Sequence, residues 1–197
     1  MNTEFYLENH LLEQVAPNEA QLDEQMPWIQ QACKTSAAIE QLCFRPAYSE
    51  REFTEQLQLC PERGVIGDRW SKYTWIYLPD GSPDPRLQVC LMPLRVWQLV
   101  CKPLQAHGVL HPGDNLLADL DCSEENLPVG QQLQLGSAVI EVSDEFNNAC
   151  SKWRKRYGSA SVQWINRDHN RPLRLRGVLC RIVQPGFVKL SDRIEKL

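Results

Sequence analysis

QQLQLGSAVIEVS, residues 131–143, decides the fold class, because it is the clearest β-hairpin pattern in the chain. Apolar residues alternate with other residues on both sides of Gly136-Ser137, at Leu133, Leu135, Ala138, Ile140 and Val142. Alternation with a period of two is typical of strands with one buried face, and the glycine suits a tight hairpin turn. We therefore predict two antiparallel strands that pair across Gly136.

Turn signals recur at short intervals in the rest of the sequence. They are ERG at 62–64, PDGSPDP at 79–85, HPGD at 111–114, LPVG at 127–130 and QPG at 184–186. Short apolar runs separated by glycine and proline are typical of β-sandwiches and β-barrels. We predict a strand at 38–45 and a second strand pair, formed by SVQWIN at 161–166 and LRLRGVLCRIV at 173–183. The fold class is expected to be mainly β, with a few helices.

The N-terminal residues show helical spacing in place of alternation. The apolar positions are Phe5, Leu7, Leu11, Leu12, Leu22, Met26 and Ile29. Pro17 and Pro27 interrupt the pattern, because proline cannot donate a backbone hydrogen bond inside a helix. A chain of 197 residues suits one domain with a modest extension. We predict an N-terminal helical segment at 1–35 and one larger domain at 36–197.

Composition limits the classes of partner and the cellular compartment. The formal net charge is -4, so we expect neither nucleic acid nor an acidic membrane as a partner. The first residues carry acids and no Lys or Arg, and no apolar run approaches the roughly 20 residues that span a bilayer, so a cytoplasmic location is expected. The eight cysteines contain no CxxC pair, and those in apolar runs, Cys43, Cys90 and Cys180, are expected to be buried structural thiols.

The stretch NNACSKWRKRYG, residues 147–158, contains a cysteine in a different setting. We predict a helix from about Ala149 to Tyr157, capped by Asn147 or Asn148 and ended by Gly158. Cys150 would then lie in the first turn, where the helix dipole and nearby cations lower the pKa of a thiol. Such a thiolate suits a nucleophile, a persulfide carrier or a soft-metal ligand, and the alternative is a small buried side chain.

Three further stretches contain candidate ligand-binding residues. GVIGDRW at 64–70 places Asp68 and Arg69 after two glycines, and HPGDNLLADLD at 111–121 contains Asn115. In a strand over RPLRLRG, Arg174 and Arg176 would point to the same face and, with Lys152, could bind a phosphate. The alternatives are turns that satisfy their own backbone and a solvated strand face.

The order of these motifs resembles the MOSC domain, a family named for the C-terminal domain of molybdenum-cofactor sulfurases. The resemblance runs from about Ala38 to Asp192 and rests on motifs in a fixed order. These are GVIGDRW, PRLQVCLM, HPGDNLLADLD, the hairpin at 127–143, the cysteine with its basic-aromatic helix, and LRLRGVLCRIVQPGFVKLSD. The resemblance implies a mixed β-barrel in which one characteristic cysteine, matched here by Cys150, lines a cleft.

In relatives, this cysteine carries sulfur as a persulfide or ligates molybdenum in enzymes that reduce N-hydroxylated compounds. The resemblance therefore implies Cys150 as a catalytic residue and metal ligand, with the molybdenum cofactor (molybdopterin) bound; pyridoxal phosphate is not expected. Arg69, Asp68 and Asn115 would line the same site by motif. Relatives have glycine where this chain has Ala149, a change that should leave the site open.

The resemblance also implies partners. The sequence shows no sulfurase domain, ferredoxin-like cysteine set or flavin motif, so a reductase would require an external electron-transfer protein. A sulfur carrier would instead require a sulfur donor similar to a cysteine desulfurase. The alternative function is a non-catalytic module that binds an anion or a protein partner on a MOSC barrel.

Overall fold

A closed barrel of seven strands forms the centre of the molecule, whose computed structural model describes residues 6–197. The strands are β1 (Ser36–Phe44), β2 (Glu52–Thr54), β3 (Gln56–Cys60), β4 (Gly64–Val65), β5 (Val89–Pro93), β6 (Leu116–Ala118), β7 (Gln132–Leu135), β8 (Ala138–Val142), β9 (Val178–Gln184), β10 (Gly186–Lys189) and β11 (Arg193–Lys196). Around the barrel the order is β1, β11, β7, β8, β9, β5 and β6, and pairing of β6 with β1 closes it. The expected mainly β barrel is confirmed.

The hairpin predicted at 131–143 is present and belongs to the barrel. Leu135 pairs with Ala138 across Gly136-Ser137, and Leu133 pairs with Ile140. The alternating apolar residues of both strands are buried in the barrel interior. Closure leaves no free edge among these strands, which removes the surface on which other chains could add a strand. The strand predicted at 38–45 is confirmed as β1.

Two smaller strand arrangements extend the barrel. Strand β2 pairs with the end of β1, and β10, β3 and β4 form a separate three-stranded antiparallel sheet. Neighbouring barrel strands are antiparallel except β5 and β6, which run parallel. The chain between those two strands is therefore a crossover, and it contains a helix.

The helices pack on one side of the barrel and form a second apolar core. They are α1 (Asn9–Val15), α2 (Glu19–Glu24), α3 (Met26–Ile29), α4 (Leu94–Val96), α5 (Lys102–Gln105) and α6 (Ser151–Asn166), with a π-helical turn at Trp97–Cys101 and 3-10 turns at Arg69–Ser71, Pro85–Leu87 and Arg171–Leu173. Helices α1 to α3 match the helical character expected at the N-terminus. Phe5 lies outside the described residues, and the division at residue 35 stays a prediction.

The strand predicted at 161–166 is wrong, because these residues form the second half of α6. Gly158 interrupts this helix with φ 82 and ψ 163, and the two halves fold back on each other. Trp153 Nε1 donates to Ser161 Oγ at 3.0 Å across the fold. The apolar run around Trp164 packs against the N-terminal helices. A short apolar run does not distinguish a strand from a buried helix, and here tertiary packing decides.

The strand predicted to begin at residue 173 begins only at Val178. Arg171–Leu173 forms a 3-10 turn, and Arg174 has a left-handed backbone with φ 47. Arg174 and Arg176 therefore do not share a strand face, and that prediction is also wrong. Gly177, with φ 88, then turns the chain into β9.

We expect Gly177→Ala to destabilise the barrel far more than Gly81→Ala. Both glycines have positive φ, but a Cβ at Gly177 would overlap the Leu91 carbonyl oxygen, whereas nothing lies within 4 Å of one at Gly81. The backbone strain common to both variants should lower the free energy of unfolding by about 1 kcal/mol. The clash should increase this loss to about 3 kcal/mol or more for Gly177→Ala. Urea unfolding measures both, and equal losses of unfolding free energy would contradict the close approach at Gly177.

Candidate functional site

A cavity of about 470 Å³ lies beside the helical face of the barrel. Its wall is formed by residues from the ranges 45–51, 69–75, 87–90, 112–114, 146–156 and 176–179. Loops that follow β1, β4 and β8 therefore meet there with the start of α6 and the segment before β9. Small-molecule sites are commonly concave regions of roughly 300 to 1,000 Å³, so the cavity suits a ligand.

The wall of this cavity is strongly cationic. Six cationic side chains line it: Arg45, Arg51, Arg69, Lys152, Arg156 and Arg176. Among the described residues, the one carboxylate of the wall is Asp114. Burial and the like charges of Arg156 and Arg45 together lower the pKa of Arg51 to about 10. Because the cations repel one another, an anionic ligand would be stabilised in this cationic cavity.

Arg51 holds the HPGD turn against the cavity. Its guanidinium donates from Nε to the carbonyl of His111 at 3.0 Å and from Nη2 to that of Pro112 at 3.1 Å. Gly113 has φ 89, and a Cβ there would overlap the Arg51 side chain. The glycine is therefore required by both backbone conformation and close packing. This fixes the residue that follows, Asp114, at the floor of the cavity.

Asp114 is buried and forms an ion pair with Arg176. Arg176 Nη1 donates to Oδ1 at 2.8 Å, and the thiol of Cys90 lies 2.6 Å from the same oxygen. Burial opposes ionisation, but Arg176 outweighs it and holds the pKa of Asp114 below its usual range. Oδ2 has no hydrogen-bond partner within the described part of the chain. A buried carboxylate oxygen without a donor is costly, so this atom is suited to accept from a ligand.

Cys150 is exposed and lines the cationic cavity, so it is not the small buried side chain of the alternative interpretation. It is the N-cap residue of α6, and its carbonyl accepts from Arg154 N at 3.0 Å. The predicted asparagine cap is wrong. Asn147 instead donates to the Arg176 carbonyl at 3.1 Å and approaches Cys90 Sγ at 3.4 Å. This side chain thus ties the loop before Cys150 to the floor of the cavity.

Four of the residues singled out from the sequence meet at the cationic cavity: Cys150, Arg69, Lys152 and Arg176. The Tyr48 ring organises two of them. The Arg69 guanidinium lies 4.5 Å and the Lys152 Nζ 4.9 Å from the ring centroid, distances at which a cation is attracted to a ring face. Arg69 also donates to the Tyr73 carbonyl at 3.0 Å.

The other three predicted ligand-binding residues do not line the cavity. Asp68 lies behind the wall, where its carboxylate binds Arg45 through contacts of 2.9 and 3.1 Å. Asn115 is fully buried and accepts from Cys90 N at 3.0 Å. Arg174 donates to the Leu127 carbonyl at 2.6 Å, away from the cavity. Asp68 and Asn115 therefore contact the wall residues Arg45 and Cys90 and do not line the cavity themselves.

Sequence reasoning missed several residues of the wall. Arg45 and Arg51 belong to no motif, and Arg156 is in sequence only one of several cations in a basic helix. Asp114 is not among the missed residues, because the sequence indicates that Gly113, Asp114 and Asn115 could present polar groups to a cofactor, and Asp114 does line the wall. Cys90 is buried as expected, but it also contributes to the cavity floor.

Two structural features bear on the class of site. Across residues 6–197, no three His, Cys, Asp or Glu side chains lie close enough together to hold a metal ion by themselves. No helix in that range combines the length and apolar character that crossing a bilayer requires.

Comparison with known proteins relates this region to one family. The MOSC domain family matches residues 88–195. The structure of YiiM from Escherichia coli is similar with a TM-score of 0.55 and 20% identity over 81% of this chain and 69% of that chain. YuaD from Bacillus subtilis has a TM-score of 0.53 and 17% identity over 84% of this chain and 98% of that chain.

A further crystal structure, described as that of a hypothetical protein, has a TM-score of 0.60 and 20% identity over 86% of this chain and 70% of that chain. At such identities the likeness concerns the fold. No curated protein matches the chain.

We expect His111 to make folding less favourable below neutral pH. Burial lowers its pKa to about 4, whereas an unfolded histidine has a pKa of about 6.5, so the unfolded chain binds the proton first. Stability is therefore full above pH 6.5 and falls as the pH drops toward 4. From pH 7 to pH 5 the free energy of unfolding should fall by about 2 kcal/mol because of His111. This fall should be absent in His111→Gln. Urea unfolding at both pH values measures it, and parallel losses in the two proteins would contradict it.

Proposed function

Because the chain belongs to the MOSC domain family, we propose that its cationic cavity binds the molybdenum cofactor and that Cys150 is the thiolate ligand to the metal. The observation that carries this proposal is the exposed thiol of Cys150 in the wall of a cavity with six cationic side chains. A thiolate is a soft ligand that suits a transition metal.

The cations of the wall suit the phosphate of the cofactor. Arg69 and Lys152 would hold it from the side of Tyr48, because guanidinium and ammonium groups form charge-assisted hydrogen bonds to phosphate oxygens. Neither residue forms an ion pair with a carboxylate in the structure as described. Arg45 and Arg176, by contrast, are paired with Asp68 and Asp114 and would contribute mainly to the field of the cavity.

Asp114 would complete recognition from the floor of the cavity. Its ionised carboxylate has a buried oxygen without a donor, and an N–H group of the pterin would satisfy that oxygen on binding. A buried acceptor rejects ligands that lack the matching donor, since it would then remain unpaired. The residues present therefore fit a ligand with both an anionic group and an N–H edge.

The proposed reaction is the reduction of an N-hydroxylated compound. When bound, the cofactor supplies the two-electron chemistry, so that N–OH, two electrons and two protons give N–H and water. An external electron-transfer protein would provide the electrons. The chain would hold the cofactor and the substrate in place. It would also restrict the entry of water to the cavity, since Leu87, Trp153 and Leu179 form a buried apolar part of the wall.

Two other functions depend on fewer features of the site. Sulfur carriage by a Cys150 persulfide requires only an accessible thiol, and a binding module requires only the cations. Neither requires a cavity of about 470 Å³ whose wall also contains Asp114, with its unpaired carboxylate oxygen. The combination therefore favours cofactor binding.

We predict that protein purified without oxygen contains molybdenum and, after oxidation, a fluorescent pterin, and that Cys150→Ser loses both. Mass spectrometry of the metal and pterin fluorescence measure the two contents. Cys33→Ser is the matched control, because Cys33 is an exposed thiol outside the cavity and should leave both contents unchanged.

Equal molybdenum contents in wild type and Cys150→Ser would refute the ligand role. If neither contains molybdenum but cyanide releases thiocyanate from wild type alone, Cys150 carries sulfur. Absence of both signals would favour the binding module.

Two arginine variants separate residues inside the cavity from those outside it. Arg69→Met removes a cation of the wall, and we expect the pterin content to fall about fivefold or more because a phosphate contact is lost. Arg174→Met also removes one positive charge, but Arg174 lies outside the cavity and donates to the Leu127 carbonyl, so the pterin content should be unchanged. Fluorescence after oxidation measures both, and equal losses would contradict the assignment of Arg69 to the phosphate.

A further inference from the structure

The helical hairpin of α6 brings Asn166 next to the residue that precedes Cys150. Along a straight helix, residues 149 and 166 would be about 25 Å apart, since each residue adds about 1.5 Å. The break at Gly158 instead returns the chain, and the Asn166 carboxamide meets the backbone of Ala149. A positive φ of 82 makes this turn favourable for glycine.

Asn166 binds Ala149 through both ends of its carboxamide. Oδ1 accepts from Ala149 N at 3.2 Å, and Nδ2 donates to the Ala149 carbonyl at 3.1 Å. That carbonyl belongs to the peptide bond that joins Ala149 to Cys150. The two bonds therefore fix the peptide groups on both sides of Ala149, and with them the direction in which Cys150 leaves the loop.

The N-terminal helix α2 holds the end of α6 that carries Asn166. Asp23 accepts from Trp164 Nε1 at 3.0 Å and from Arg167 Nη1 at 2.9 Å. Arg167 also forms an ion pair with Glu19. Two residues adjacent or nearly adjacent to Asn166 are thus bonded to the same helix, which restrains its position.

We infer that Asn166 is a positioning residue for Cys150, and that α2 acts on the same thiol by bracing Asn166. The inference rests on the proposed function for what Cys150 does once it is positioned. Where the thiol lies relative to the cations of the cavity does not depend on any cofactor. The inference thus assigns a role to the N-terminal helices, which contribute no side chain to the cavity wall in the described structure.

The position of the thiol can be measured in cofactor-free protein, in which no metal is bound to Cys150, with two alkylating reagents of different charge. Iodoacetate is an anion and iodoacetamide is neutral, so the ratio of their rates rises when a thiol lies among cations. Mass spectrometry of the peptides gives this ratio for each cysteine. In wild type we expect the ratio for Cys150 to exceed that for Cys33, an exposed thiol outside the cavity, by about threefold or more.

In Asn166→Ala the ratio for Cys150 should fall toward that of Cys33, because the loop no longer holds the thiol against the cations. Asn166→Asp keeps the acceptor for Ala149 N but loses the donor to its carbonyl, so an intermediate ratio is expected. Asn170→Ala is the matched control. Asn170 is buried in the same region and donates to the Trp164 carbonyl at 2.8 Å, but it does not contact Ala149, so the wild-type ratio should be kept.

A wild-type ratio in folded Asn166→Ala would overturn the positioning role, and so would an equal loss in Asn170→Ala. A wild-type ratio for Cys150 no higher than that for Cys33 would overturn it as well.

The role of α2 is tested by the double variant Glu19→Gln and Asp23→Asn, which removes the charges of α2 that hold the end of α6. This variant should lower the ratio for Cys150 less than Asn166→Ala does. An unchanged ratio would overturn the role of α2. Absence of molybdenum would refute the proposed function and leave these ratios unaffected.

Discussion

The ion pair between Asp114 and Arg176 organises the site, because it joins the chain segments that meet at the cavity. Asp114 ends the turn held by Arg51, and Arg176 lies just before Gly177 and β9. Desolvation of two charges is costly, and the pair is maintained because further groups surround it. The thiol of Cys90 approaches Asp114, the Trp153 ring packs 4.6 Å from the Arg176 guanidinium, and Asn147 binds the Arg176 carbonyl.

The site lies where the barrel meets the second apolar core. Strands β5 and β9 supply the floor, and the start of α6, whose Trp153 and Tyr157 pack with the helices, supplies the wall that carries Cys150. Cys150 therefore stands at the start of a helix that belongs to the helical core, whereas Asp114 and Arg176 lie just before barrel strands β6 and β9. Changes in the packing of the helices should act on the thiol without altering the strands.

The sequence singled out Cys150 as a wall residue more readily than it singled out the residues around it. Cys150 was recognisable because a capping region, a basic helix and an ordered set of motifs surround it. Asp68 and Asn115 were in recognisable motifs as well, but a motif does not distinguish a residue that faces a ligand from one that holds its neighbour. Arg45 and Arg51 follow a strand without any local pattern, and only the tertiary structure brings them into the same cavity wall as Cys150.

The sequence by itself determined the barrel hairpin and the family, because period-two alternation around Gly136 and the order of the motifs are local properties of the chain. Only the tertiary structure decided the conformation of residues 161–177. Their apolar run is compatible with a strand or a helix, and burial of Trp164 against the N-terminal helices selects the helix. The same packing places Asn166 beside Ala149, a contact between residues 17 positions apart that depends on the turn at Gly158.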